Sequence, residues 1–579
     1  MLSLALAVLA AALLTGPARA FDDPGVLTYA ISTDVDSLDP DWAYDATSLF
    51  VVQQMYESLV DFDGPALDRF APRLASVVPT RDNGFLSKDG LTYAFPIRGG
   101  VKFHDGAKMT ADDVKYSLMR FMLTDRDGGQ SSLLLEPLTG RRTVVGPDGK
   151  PDPVVFDLAD QAVSVEGGAV VLRLQRPFAP LLSVLANCAQ VVSKSYAAAH
   201  GGWNGRRETW AVLRDQPKEK TAYYASADGT GPFKLDRWDR ELKTLTLLRN
   251  DGYWRSPASL AAARLLTVEE PKARRQMLES GEADVAQVDP RALPYFQAVP
   301  GAAVDTGLPL LEVNDVIFFN ERIEPRDNQW IGSGRLDGQG ITPDFFADAL
   351  VRKAFAFAFD VDAYIRDGFH GAAKRAHGPI PQGLPGYAER QQGLPYSLED
   401  SARAFQDAHG GDIWANGFLL PMAYPEGNTE RHLACRVLQE GLAKVNPKFR
   451  VDCRGLEQSK LLDELRARRL SAFVYRWILD YPDSNNAVEP FLGSKGFFGA
   501  ALGYSNPRAD AMIASAAAET DPAKRTALYE ELQALAIYDV PEIFTVATSG
   551  AIARRVKVLN WSHHPMQPYG SLYQVVKQR

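Results

Sequence analysis

A carboxylate fixed at the end of an apolar strand can hold an ammonium group, and one stretch of this 579-residue chain offers that arrangement. Residues 475–492 read YRWILDYPDSNNAVEPFL. The stretch starts strand-like, with Tyr475, Trp477, Ile478 and Leu479 bulky and apolar. It then breaks into the turn formers Asp480, Pro482, Asp483, Ser484, Asn485 and Asn486. Asp480 therefore stands where a strand meets a loop, and loops held by a rigid scaffold are where ligand-contacting groups concentrate. The same residues also fit a solvated acid that merely starts a turn, so the rest of the chain has to decide.

Other chemistry finds little support. There is no GxSxG elbow, no SxxK and no HExxH or CxxC spacing, so neither a hydrolase nor a metal enzyme is indicated. Eight His and 72 acids can be arranged into triads at will and discriminate nothing. The chain is read as a non-enzyme with no cofactor and no metal. His370, His377, His432 and the pair His563-His564 are metal candidates by residue type only, and the pair, in a polar Pro-flanked tail, reads as solvated. An exported sensor module or an exported hydrolase are the rival classes.

At 46% hydrophobic and 23% charged, with a formal charge of −9, the composition is that of an ordinary globular protein. The length predicts two to four domains. A net acidic balance argues against a nucleic-acid partner, which would need a basic field. Arg141-Arg142, Arg274-Arg275 and Arg468-Arg469 read as solvated faces. The opening MLSLALAVLAAALLTGPARA joins an apolar run, 2–14, to an A-x-A pattern ending at Ala20. The run is too short to span a membrane. It predicts a secretion signal at 1–20, although no basic residue precedes it. No Cys follows the cleavage position, so the expected product is periplasmic and not lipid-anchored. Of the three cysteines, Cys435 on an expected helix (429–444) and Cys453 on the strand after it (448–454) are close enough along both elements to bridge or to stay apart. Cys188 is then a lone buried thiol.

In chain order, 26–32 is a strand, 48–59 a helix, 60–64 a strand into a turn, and 91–98 an alternating strand. A turn-flanked GGVKFHDG follows. Thr110, with Asp112 and Asp113 in the first turn, caps a helix over 114–122. Three segments, around 124–162 (with a Gly/Pro-rich excursion at 139–153), 206–226 and 329–340, read as surface loops.

LTYAFPIRGGVKFHDGAKMTADDVKYSLMRF is similar to the family-five solute-binding proteins of ABC importers, the dipeptide, oligopeptide and nickel carriers. Phe103, His104, Asp105, Gly106, Thr110, Asp112, Asp113, Val114, Ser117 and Arg120 carry that likeness. Thr230-Gly231-Pro232-Phe233, LLRNDGYW at 247–254, SGEAD at 280–284, the helix-like VRKAFAFAFDVDAYI at 351–365 and RWILDYPD at 476–483 resemble further family blocks in the family's order. Inside the family, His104-Asp105 and their neighbours build the lobe.

The resemblance implies an α/β, two-lobed periplasmic binding protein of the Venus-flytrap type with an extra domain. Its expected layout is 21–60 and 191–310 in lobe 1, 61–190 as the extra α/β domain, 311–544 as lobe 2, and 545–579 returning to lobe 1. It also implies that Asp480 pairs with a peptide's α-ammonium. Ligand backbone would then add as a strand beside Arg476, Trp477 and Ile478 on one lobe and Tyr44, Asp45 and Ala46 on the other. Trp42 and Tyr44 are candidate aromatic walls, and Trp477 fits a ligand wall or a core position equally. Val474 and Arg476 depart from the family pattern. Arg476 is a candidate reader of a ligand carboxylate, or a partner for Asp480 or Asp483 in the ligand-free protein. The expected partners are a peptide or other small solute and ABC permease subunits, with the protein a monomer. A nickel or other metal-chelate carrier is the alternative within the family.

Overall fold

The computed structural model describes residues 23–567 and 569–579, which leaves the expected leader 1–20 outside the described residues. Val26–Ile31 runs through the middle of a seven-stranded sheet, parallel to Ala262–Thr267 on one side and Val285–Gln287 on the other. Its side chains alternate as a strand requires. Leu27, Tyr29 and Ile31 enter one apolar core, while Ala30 enters a smaller one under the helix Pro271–Ser280. Ala302–Pro309 and Phe233–Asp239 are the edges of this sheet.

A second seven-stranded sheet is built around Glu312–Phe319, Ala472–Ile478, Phe418–Pro425 and Phe449–Leu456. Glu312–Phe319 is apolar on both faces. Ile317 and Phe319 enter one core and Val316 and Phe318 the other, as expected of a strand covered on both sides. The chain passes from the first sheet to the second between Pro309 and Glu312, and returns between Ala547 and Ser549. The two passages touch, because the Thr548 hydroxyl donates to the Glu312 carboxylate at 2.6 Å. The result is a two-lobed α/β protein.

A three-stranded antiparallel sheet, Thr92–Pro96, Ala169–Arg173 and Val163–Glu166, shares the core of the first lobe. The helix Ala111–Thr124 covers it, opened by a capping box between Thr110 and Asp113. Beside it, Gly231 donates its N–H to the Met55 carbonyl at 2.9 Å, at the end of the helix Ala46–Met55. A Cβ on Gly229 would stand 2.1 Å from that carbonyl oxygen, so only glycine permits this approach.

Several expectations need correcting. Residues 351–365 form two helices, Ala349–Ala358 and Val361–Phe369, because Asp360 accepts the Ala363 N–H and caps the second. Arg274 is fully buried, donating to the Val268, Glu269 and Gln287 carbonyls and to Asp289. The 206–226 and 329–340 segments are anchored inward by Trp210, Tyr223 and Trp330, which are all buried. His564 is also buried, stacked on Phe62 with 4.6 Å between ring centroids, and burial lowers its pKa.

Cys435, on the helix Thr429–Val445, is bonded to Cys453 on the edge strand Phe449–Leu456, with their Cα atoms 6.0 Å apart. Cys188 is a buried thiol. Closing a loop of this size is worth about 2–4 kcal/mol. Reducing the bond should therefore lower the unfolding free energy by that amount, and guanidinium denaturation with and without reductant measures it.

Candidate functional site

The strand Ala472–Ile478 delivers Asp480 to the junction of the two lobes. Leu479 closes the strand by donating its N–H to the Leu311 carbonyl at 2.9 Å. Asp480 donates its own N–H to the Asn486 side-chain oxygen at 2.7 Å. The turn formers after it are no solvated loop. Asp483 caps the helix Ser484–Leu492 and takes a two-pronged bond from Arg525 at 2.7 and 2.8 Å. Asp480 itself is 7% exposed, which corrects the reading of a solvated turn acid.

The first lobe grips this turn. The Asp480 carbonyl accepts the Asn187 amide at 2.8 Å and the Cys188 thiol at 3.2 Å. Its carboxylate accepts the Tyr44 hydroxyl at 2.9 Å and the Gln130 amide at 2.7 Å on one oxygen, and the Asn486 amide at 3.3 Å on the other. All three donors are neutral. Among the described residues no cationic side chain lies within ion-pair distance of it. Burial raises its pKa, against the hydrogen bonds from Gln130, Tyr44 and Asn486 and the field of Arg126. Burial, with Asp480 second, pushes the Tyr44 phenol up. The arrangement can hold a buried positive group.

Gln130 and Arg126 ride on the 125–130 loop, DRDGGQ, which leaves the helix Ala111–Thr124. That loop is braced by the 139–153 excursion. The Asp125 carboxylate accepts the Thr143 hydroxyl at 2.6 Å and the Val144 N–H at 2.8 Å. From the same excursion Arg142 reaches the other lobe and pairs with Glu489 at 3.0 Å. The excursion is therefore a wall of the junction. On another part of the junction, Arg291 pairs with Glu430 at 2.9 Å.

The remaining candidates are placed as follows. Asp45 caps the helix Ala46–Met55 by accepting the Ser48 N–H, and Ala46 is that helix's first residue. Tyr44 is 39% exposed as a residue, with its hydroxyl engaged by Asp480. Trp477 turns into the second lobe, against Phe497 and Phe498, and its indole N–H donates to the Asn486 carbonyl at 3.0 Å. Ile478 is 45% exposed. Arg476 pairs with Glu312 on the crossing strand at 3.6 Å, not with Asp480 or Asp483. His104 accepts the Gly229 N–H at 3.4 Å and contacts the Gly231 carbonyl, a lobe-building role. Burial pushes its pKa down to about 4. Sequence reading missed Gln130, Arg126, Asn187 and Glu312, and it treated Asn486 only as a turn former. Among the described residues no three His, Cys, Asp or Glu side chains gather as a metal-holding group.

The profile of the bacterial extracellular solute-binding proteins, family 5 (middle region), matches residues 69–499. The chain belongs to this family. The glutathione-binding protein GsiB of Pectobacterium atrosepticum is 25% identical to it over 557 residues, covering 95% of this chain and 93% of that protein. Di/tripeptide-binding protein 2 of Pseudomonas aeruginosa is 25% identical over 519 residues, covering 86% and 87%. Among solved structures, the periplasmic binding protein DppA from Helicobacter pylori with the peptide STSA superposes with a TM-score of 0.73 at 21% identity, covering 96% and 98%. AgaA from A. tumefaciens R10 with agropinic acid superposes at 0.70 and 18% identity, covering 96% and 99%. At such identity the likeness establishes the shared two-lobed fold. This family-5 solute-binding protein is thus of the extracellular class that serves ABC importers. No helix among its described residues is long and apolar enough to cross a membrane.

Proposed function

We propose that this solute-binding protein captures a peptide with a free N-terminus between its lobes and hands it to the permease subunits of an ABC importer. In this reading it works as a monomer in the periplasm, after removal of the 1–20 leader. The observation that carries the proposal is Asp480, a buried carboxylate at the lobe junction whose donors are all neutral. An ammonium placed there gains a partner and relieves a buried charge. Peptide backbone has somewhere to go as well. Ala472–Ile478 pairs with Glu312–Phe319 along one edge but with Phe418–Pro425 only at Ala472 and Phe473. Residues 474–478 thus have an edge with no strand against it among the described residues, which suits β-augmentation. Two similar proteins, the glutathione-binding GsiB and di/tripeptide-binding protein 2, are named for short peptides, which agrees with this reading.

The direct test is native mass spectrometry of the protein purified from a periplasmic extract, followed by denaturation and sequencing of what it releases. Short peptides sharing free N-termini are expected. A single non-peptide mass or a metal complex would defeat the reading.

The raised Asp480 pKa adds a pH dependence. A bound ammonium favours the ionised carboxylate, so below the raised pKa binding has to displace a proton from it. Affinity should be full above the raised pKa and fall by up to about tenfold per pH unit below it. Calorimetry from about pH 8 down to about pH 4 should show this fall for a free-amine peptide. An N-acetylated peptide should bind weakly throughout.

A further inference from the structure

Arg126, on the 125–130 loop, is a charged side chain whose field acts on Asp480. It is half-buried, with its guanidinium over the rings of Trp42 (4.8 Å to the centroid) and Tyr44 (5.5 Å). A guanidinium carries five N–H donors in a rigid fork. The hydrogen bonds recorded for this one are both long, at 3.3 Å to the Trp42 carbonyl and 3.5 Å to that of Asp41. Among the described residues no carboxylate lies within ion-pair distance of it. The nearby Asp41 is committed to Arg120. Burial lowers the pKa of Arg126, against the fields of Tyr44 and Asp41. A half-buried cation held on aromatic faces with most of its donors unspent is built to receive an anion.

Tyr44 links this cation to the anion beside it. Its hydroxyl donates to Asp480 and its ring lies under Arg126. A single side chain therefore separates a fixed negative group from a fixed positive one. We propose that Arg126 binds a carboxylate of the ligand, so that the preferred ligand is a compact zwitterion carrying that carboxylate close to its free ammonium. This deepens the peptide reading and rests on it. Two sources supply the chemistry: the C-terminus of a dipeptide, or the α-carboxylate of a γ-linked glutamyl residue, which sits on the same carbon as the ammonium.

Calorimetry on the wild type and Arg126→Gln, with four probes, tests the proposal. The probes are Ala-Ala, Ala-Ala amide, γ-Glu-Cys-Gly and its α-linked isomer. In the wild type, losing the carboxylate, or moving it away from the ammonium as the α-linked isomer does, should weaken binding at least about tenfold. A dipeptide-type site shows that loss between Ala-Ala and its amide. A γ-glutamyl-type site shows it between the γ- and α-linked tripeptides. In Arg126→Gln the matching ratio should fall to about one, with both members of the pair keeping the weaker affinity that Asp480 supplies through the free ammonium. An unchanged ratio in the variant overturns the role of Arg126 and leaves the peptide reading standing. Wild-type protein that binds none of the four overturns both. If Arg126→Gln fails to fold, the wild type alone decides, because probes with and without the carboxylate that bind equally well overturn the proposal. Arg126→Lys, which keeps the charge but loses the fork, should then give an intermediate ratio.

Discussion

Asp480→Asn is expected to raise the Kd for a free-amine peptide by about two to three and a half decades. The estimate is the cost of leaving a buried ammonium without its counter-charge, about 3–5 kcal/mol, at about 1.4 kcal/mol per decade. The fold should be unaffected. The Asn oxygen can still accept the Tyr44 hydroxyl and the Gln130 amide, which both bond to the same carboxylate oxygen. Only the contact with the Asn486 amide turns donor against donor. Removing a charge that burial disfavours offsets that loss, so the thermal midpoint should move by no more than a few degrees. Calorimetry beside a melting curve checks both halves. Wild-type affinity in the variant would remove Asp480 from the site, whereas a large fall in midpoint would show that its role is structural.

Arg120→Met is expected to destabilise the fold strongly. Arg120 donates to both oxygens of Asp39, one of them at 2.9 Å, and to Asp41, and the three side chains are 5%, 0% and 6% exposed. Losing the guanidinium leaves two carboxylates buried together, at a cost of about 3–5 kcal/mol. Urea unfolding of Arg120→Met should show that loss, and adding Asp39→Asn should restore part of it. The same cluster is sensitive to pH. Burial, with Arg120 opposing it, pushes the Asp41 carboxyl up to about 7. A group whose folded pKa exceeds its unfolded one contributes fully below the ordinary aspartate range, and loses that contribution as pH rises through the folded value. Asp41→Asn should accordingly flatten the decline in stability between about pH 4 and about pH 7.

Much of the architecture could be read from residue patterns, for physical reasons. The Thr110–Asp113 box and the alternation of Val26–Ile31 are local rules, and the fold obeys them. The block at 230–233 was recognisable by its likeness to the family, and its physical cause is the contact of Gly231, and of Gly229 just before the block, with the end of the helix Ala46–Met55. Asp480 could be singled out because strand and turn signals meet there. Its partners could not, because Tyr44, Gln130 and Asn187 lie 436, 350 and 293 residues away in sequence. No local pattern encodes such pairings. Arg274 and His564 misled for a related reason. Polar residues in polar surroundings look solvated until tertiary contacts supply carbonyls and a ring to bury them.

The brace beneath the 125–130 loop also bears on how such a site can be moved between scaffolds. Asp125 is tied to Thr143 and Val144, so Gln130 and Arg126 take their positions from an excursion that touches no proposed ligand group itself. A graft carrying only the loop would arrive without its footing, with the right residues at the wrong places. Loop and excursion form one transferable module, and a change in the length of 139–153 becomes a route to altered selectivity that leaves every side chain facing the ligand untouched.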